Sequence, residues 1–87
     1  MALIEINVDG ELTISIEKGN EYKFNNMRII QNRGENPILV SRNEIGNSSK
    51  GLELENNDMI IEDSNVDRYI KLTQGQSQLV LVDNDVS

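Results

Sequence analysis

The chain alternates short apolar stretches with turn-forming residues from one end to the other. Residues 2–8 and 11–18 each carry an aliphatic side chain at every second position, and Asp9-Gly10 stands between them. A period of two is typical of a half-buried strand, and an Asp-Gly pair favours the positive φ angles of a tight turn. The pattern therefore predicts a β-hairpin over residues 2–18.

The rest of the chain predicts further short strands separated by polar breaks, of which Asn25-Asn26 and Asp63-Ser64-Asn65 are two. No window shows the 3.6-residue period of an amphipathic helix over three turns. We expect strands at 22–24, 27–33, 38–42, 51–54 and 59–61, and a closing hairpin of 68–73 with 78–83 across Gln74-Gly75-Gln76.

These elements predict an all-β fold, a small antiparallel β-sandwich or barrel (jelly-roll-like) of about seven to nine short strands. We expect one domain over residues 1–87, with 84–87 as a frayed tail. By the period-two rule, the core should be dominated by Ile4, Ile6, Leu12, Ile14, Ile16, Ile29, Val40, Leu52, Leu54, Ile60, Ile70, Leu72 and Leu81.

The sequence lacks the residue types that most catalytic mechanisms use. The sequence has no His, Cys or Trp, so the usual proton shuttles, thiol nucleophiles and zinc ligands are absent. Serines at positions 41, 48, 49 and 64 have no His that could activate them. We therefore expect a protein that is not an enzyme, with no catalytic residues and no cofactor.

One segment resembles the opening of a calcium-binding loop. Residues 63–67 read Asp-Ser-Asn-Val-Asp, but Arg68 stands where such a loop needs Gly and Gln74 where it needs a bidentate Glu. The alternative is a solvated acidic turn between two strands. We expect calcium to bind weakly or not at all at the candidate ligands Asp63, Asn65 and Asp67.

The charge pattern favours protein partners. The net charge of −7 argues against nucleic-acid binding, and no apolar run is long enough to cross a membrane. Residues 18–50 hold six basic and three acidic side chains, whereas 51–67 hold six acidic and no basic ones. These stretches either face each other within one domain or meet across a subunit interface. The interface candidates are Arg33, Arg42, Glu53 and Glu55, together with Leu79, Val80, Leu81 and Val82 of the closing strand, which is apolar on both faces.

From residue 27 onward the order of strands and turns resembles that of small β-sandwich structural proteins in the virions of tailed bacteriophages. The resemblance rests on six stretches: Met27–Asn32, Pro37–Val40, Gly51–Leu54, Asp58–Ile61 and the closing pair Arg68–Leu72 and Gln78–Val82. Ser41 stands where the resemblance would place a Gly. The resemblance implies a capsid decoration or head- or tail-associated protein of the virion, and it brings no catalytic residues.

We therefore expect a structural virion protein that acts through protein–protein contacts with capsid, head or tail components. A thin core without disulfides also favours a homo-oligomer, most plausibly a trimer. The alternative is a β-sandwich module that binds a carbohydrate or a receptor.

Overall fold

The computed structural model describes residues 2–48 and 50–83, and this part of the chain is all-β, as predicted. Six strands follow one another across a single sheet in the order β2-β7-β3-β6-β4-β5, and β1 pairs with β3 beside this path. The β1–β3 pair is parallel and the other pairs are antiparallel. The seven strands are β1 (Ala2–Asn7), β2 (Glu11–Glu17), β3 (Asn20–Asn32), β4 (Ile38–Ser41), β5 (Leu52–Leu54), β6 (Met59–Leu72) and β7 (Gln76–Val82).

Two long strands, β3 and β6, run through both halves of the sheet. The first half of β3 lies between β1 and β6, and its second half lies between β7 and β6. The β3–β6 register shifts on both sides of Met27, and Asn26 has a φ of 67°. Such a bulge bends a strand and increases its twist. Asn25-Asn26 and Asp63-Ser64-Asn65 therefore lie inside continuous strands, and the predicted breaks there were wrong.

The predicted N-terminal hairpin is also wrong, although the turn at Asp9-Gly10 exists. Strand β1 pairs with β3, and β2 pairs with β7. The amide of Val8 still donates to the carbonyl of Asn25, and the carbonyl of Gly10 accepts from the amide of Asp83. Gly10 has a φ of 75°. The turn thus carries the chain from one half of the sheet to the other. The local pattern encoded the turn, but the burial of side chains against distant strands selected the partners.

The predicted closing hairpin is wrong for the same reason. Strand β6 pairs with β3 and β4, while β7 pairs with β2 and β3, so none of these pairings joins β6 to β7. The turn between them lies against the turn after β2, because the amide of Lys18 donates to the carbonyl of Gly75. The predicted tail at 84–87 lies outside the described residues.

One hydrophobic cluster draws on every strand of the sheet except β1, whose aliphatic residues pack against it. Six predicted core residues are buried in it: Ile16, Val40, Leu54, Ile70, Leu72 and Leu81. Five more are half-buried against it: Ile4, Ile6, Leu12, Ile14 and Ile60. The pattern missed Val8, Tyr22, Phe24, Met27, Ile30, Ile38 and Leu79, which are buried members of the same cluster.

Two predicted core residues, Ile29 and Leu52, do not belong to it. Met27 and Ile30 are both fully buried although they are three positions apart, because the bulge interrupts the alternation of faces in β3. Ile29 consequently faces outward. Leu52 is 58% exposed, because it opens the short edge strand β5 and lines an open depression beside Arg42 and Arg68.

Candidate protein-contact surface

The strands β2, β7, β3 and β6 present an outer face on which side chains align in rows. Register partners on neighbouring strands point to the same face of a sheet. The inner row includes Leu81 and Ile30, which are both fully buried. The next positions along the strands therefore point outward. The first outer row is Glu11, Val82, Ile29 and Ile61, and the second outer row is Thr13, Val80, Gln31 and Met59.

Five apolar side chains lie together in these two rows. We call Ile29, Met59, Ile61, Val80 and Val82 the outer patch. Ile61 is 63% exposed and Met59 is 52% exposed, while the other three are half-buried by their neighbours in the sheet. Large aliphatic side chains that adjoin one another across three strands form a contiguous surface, in contrast to the isolated exposed Leu or Ile of most proteins.

The chain's own loop after β4 covers part of the outer face of the other half of the sheet. Ile45 in that loop is 4% exposed, and Leu39 on the outer side of β4 is 7% exposed, yet both lie outside the main cluster. Their burial shows that the loop shields the middle of this half from solvent, whereas Leu3 on β1 is 49% exposed. The outer patch has no such cover among the described residues.

A buried carboxylate holds this loop in place. Glu21 is 3% exposed, and its Oε2 and Oε1 accept hydrogen bonds of 2.7 and 2.8 Å from the amides of Ile45 and Gly46. Lys71, the cross-strand partner of Glu21, donates from Nζ to the carbonyl of Gly46. The carboxylate and the ammonium group therefore hold the loop on the sheet.

Charged residues flank the outer patch at opposite ends. Arg33 lies one step beyond the second outer row, where its amide donates to the carbonyl of Gln78. Its Nη1 donates to Oε1 of Gln31 at 3.3 Å, so the side chain lies along the patch. At the other end, Asp63 follows Ile61 by two positions in β6 and is exposed. Glu11 ends the first outer row on the same side.

The structure places the predicted interface candidates in three different settings: the core, the outer patch and its flank, and surfaces away from the patch. Leu79 and Leu81 are fully buried in the chain's own core, so they cannot reach a partner, whereas Val80 and Val82 belong to the outer patch. Arg33 flanks that patch. The other candidates lie elsewhere: Arg42 lines the depression beside Leu52, and Glu53 and Glu55 are exposed on and just after the edge strand β5.

The two oppositely charged stretches are not joined by either recorded ion pair. Lys23 pairs with Glu5 at 3.7 Å, and Arg68 pairs with Glu62 at 2.5 Å. Each pair has only one member in the stretches 18–50 and 51–67. The cationic side chains Arg33 and Arg42 are both exposed. Neither of these ion pairs, which lie in the part of the chain that the structure describes, therefore joins the two stretches.

The candidate calcium ligands lie in an extended strand. Asp63, Asn65 and Asp67 are all within β6, and Oδ1 of Asp67 accepts a hydrogen bond from the amide of Asn26. Residues 2–48 and 50–83 contain no group of three or more acidic side chains that could hold a metal ion. A strand spaces alternate side chains about 7 Å apart, whereas calcium gathers its ligands at about 2.3–2.6 Å from one centre.

The remaining candidate groups are occupied by local contacts. Ser41 Oγ accepts from the amide of Asn43, and Ser48 Oγ donates to the carbonyl of Ile45. Ser49 lies outside the described residues. Tyr22 and Phe24 stack in the core with their ring centroids 6.1 Å apart, and they are 6% and 0% exposed. The third aromatic residue, Tyr69, is half-buried beneath Lys23.

No protein-family model, curated protein or solved structure matches this chain. The part of the chain that the structure describes contains no helix long and apolar enough to span a membrane. The site is therefore defined by the chain's own geometry, and its principal feature is the outer patch.

The sequence does contain a signal for this patch. The doublets Ile29-Ile30 and Ile60-Ile61 place apolar side chains on both faces of their strands, as residues 79–82 do. A strand that is apolar on both faces needs cover on both sides. The missing information was that these three stretches lie side by side, which only the β6-β3-β7 order supplies.

Proposed function

We propose that this chain is a non-enzymatic structural protein that acts through protein–protein contacts made by the outer patch. The observation that carries the proposal is the exposure of Ile61 and Met59 beside Ile29, Val80 and Val82. Burying such side chains against a partner contributes about 25 cal/mol for each Å² of apolar surface removed from water. The patch therefore supplies a driving force for association.

We further propose that the partner surface belongs to the particle of a tailed bacteriophage. Support for this step comes from the resemblance carried by residues 27–82, with its strands at Pro37–Val40 and Gly51–Leu54, and from the lack of His and Cys. A capsid decoration or a head- or tail-associated protein needs a stable fold and a binding face, and it needs no catalytic residues. The virion is the location that this role implies.

The carbohydrate- or receptor-binding alternative gains no support from the site. Sugar-binding surfaces commonly use exposed aromatic rings, because their faces stack well on sugar rings. All three aromatic residues of the chain are described, and two of them are buried in the core. Tyr69 lies beneath Lys23, whose Nζ is 5.7 Å from the ring centroid.

The proposal is tested on particles of the phage or prophage whose genome carries the gene. Mass spectrometry of density-purified virions should detect the chain, and purified chain should rebind particles produced without it. The variant Ile61→Glu should fail to rebind, because it places a charge in the patch. The matched control Leu52→Glu changes a similarly exposed aliphatic residue outside the patch and should rebind normally.

Virions that lack the chain, or a gene neighbourhood without portal, capsid or tail genes, would contradict the particle assignment. Rebinding of Ile61→Glu at wild-type affinity would contradict the role of the outer patch.

A further inference from the structure

We infer that the outer patch binds a second copy of this chain, in a two-fold arrangement that brings the two outer patches face to face. This inference rests on the proposed function, because it assumes that the patch is a protein-contact surface. It names the partner surface as the outer patch of a second copy assembled on the same particle, and it gives the register of the contact. Three properties of the patch point to it: the order of its rows, the position of its charges and its size.

The rows are complementary to themselves. A two-fold axis that lies in the interface, runs across the strands and passes between the two outer rows reverses the strand direction. It therefore places the first row of one copy over the second row of the other. Ile61 then meets Met59 of the second copy, and Val82 meets Val80 of the second copy. The most exposed apolar side chains cover one another in this arrangement, which suits an isologous contact.

The flanking charges are complementary under the same axis. Arg33 lies one step beyond the second row, and Asp63 lies one step beyond the first row on the neighbouring strand. The axis brings Arg33 of each copy to the end of the patch that carries Asp63 of the other copy. Adjacent strands are about 4.8 Å apart, a separation that an Arg side chain spans. The contact therefore gains two symmetry-related ion pairs, which fix its register.

The size of the patch indicates a weak dimer. With the outer side of β2 and one flanking row of polar side chains included, the contact face spans four strands about 4.8 Å apart and three rows about 7 Å apart, which gives roughly 400 Å². A stable interface of standard size buries about 800 Å² on each partner. Two copies with a net charge of −7 each also repel one another, although salt at physiological strength screens this repulsion over about 8 Å. We therefore expect association at high micromolar concentrations.

Sedimentation equilibrium over about 10 μM to 1 mM in 0.15 M salt measures this association. The wild-type chain should shift from monomer toward dimer across this range. Ile61→Glu should remain a monomer at the highest concentration, and Leu52→Glu should dimerise like the wild type. Circular dichroism should show unchanged β-structure in every variant.

A charge swap tests the register. Arg33→Asp and Asp63→Arg should each weaken dimerisation several-fold, because each sets like charges against one another. The double variant should return to within about twofold of the wild-type dissociation constant. Arg42→Asp, which changes an exposed Arg away from the patch, should have little effect on the dissociation constant.

Several outcomes would overturn the inference. A chain that is monomeric at 1 mM, a trimer, or a double variant no tighter than the single ones would each exclude this arrangement. A monomeric chain that nevertheless rebinds particles through Ile61 would overturn the second-copy partner and leave the proposed function standing. If the chain forms the inferred dimer but is absent from virions, the particle assignment is overturned and the second-copy partner stands.

Discussion

The hydroxyl of Ser77 donates a 2.6 Å hydrogen bond to Oδ1 of Asn32, and both residues are buried. Asn32 ends β3, and Ser77 lies at the start of β7. The side-chain Nδ2 of Asn32 donates 2.9 Å bonds to the carbonyls of Asn36 and Leu54, and its Oδ1 also accepts from the backbone amide of Gly34. One fully buried side chain thus joins β3, β5, β7 and the turn before β4.

Replacing Asn32 should therefore damage the fold more than replacing Ser77. Asn32→Ala leaves the carbonyls of Asn36 and Leu54 without this donor, and we expect a loss of about 2–4 kcal/mol in the free energy of unfolding. Ser77→Ala removes one bond and should cost about 1 kcal/mol. Urea denaturation measures both values. Equal losses would show that the other three bonds of Asn32 contribute little.

Glu21 should control the order of the loop after β4. Glu21→Gln keeps the size of the side chain but replaces one carboxylate oxygen with a donor, which then faces the amide of Ile45 or Gly46. We expect hydrogen exchange at these two amides to accelerate at least tenfold, with a loss of about 1–2 kcal/mol in overall stability. Glu44→Gln, at an exposed position of the same loop, is the control and should change neither quantity. Unchanged exchange in Glu21→Gln would contradict the role of the carboxylate.

Replacing Gly34 with Ala should lower the free energy of unfolding more than replacing Gly10 with Ala. A Cβ at Gly34 would lie 1.9 Å from Oγ of Ser77 and 2.6 Å from the amide nitrogen of Gln78, so the backbones must separate. A Cβ at Gly10 meets nothing within 4 Å, and its cost comes only from the φ of 75°. We expect Gly10→Ala to lose about 1 kcal/mol in the free energy of unfolding and Gly34→Ala to lose at least twice as much. Thermal or urea unfolding of the two variants tests this order.

The sequence predicted where strands and turns occur better than it predicted which strands pair. Alternation of apolar residues located β1 and β2 to within one residue at each end, because a strand's two faces leave a direct mark on the sequence. Neither predicted hairpin exists, because Asp9-Gly10 and Gln74-Gly75-Gln76 turn the chain without pairing the strands on either side. The energy that selects partners comes from packing between residues far apart in sequence, and a local pattern does not contain it.

The bulge in β3 explains the largest error in the predicted site. Asn25-Asn26 has the composition of a turn, yet Asn26 adopts its positive φ inside a continuous strand. The bulge moves Ile29 to the outer face and Ile30 to the core. A period-two count across this point therefore assigned Ile29 to the core and concealed the outer patch. Val80 and Val82 were predicted as interface candidates together with Leu79 and Leu81, because residues 79–82 are apolar on both faces, and only the structure separates the outer pair from the buried pair.

Calcium should not stabilise this protein. Asp63, Asn65 and Asp67 follow an extended strand, and Asp67 is already bonded to the backbone of Asn26. We expect the melting temperature in millimolar calcium to stay within about one degree of its value in chelator, since a ligand stabilises only the state that binds it. Magnesium at equal ionic strength is the control for screening. A rise of several degrees that chelator reverses would show that these side chains rearrange into a site.

The two internal methionines should differ in their oxidation rates, and the difference should report on the outer patch. Met59 is 52% exposed, whereas Met27 is fully buried. Dilute hydrogen peroxide should convert Met59 to its sulfoxide at least roughly tenfold faster than Met27, because the oxidant must reach the sulfur. Peptide mass spectrometry measures both rates.

The same reaction, followed as a function of protein concentration, tests whether Met59 lies in the inferred dimer interface. Dimerisation would cover Met59 with Ile61 of the second copy, so its oxidation should slow as the concentration rises toward 1 mM. The variant Ile61→Glu, which should not dimerise, is the control. Its Met59 should oxidise at a rate that does not depend on protein concentration. A Met59 rate that is constant in the wild-type chain, under conditions where sedimentation detects a dimer, would place the dimer contact on another face.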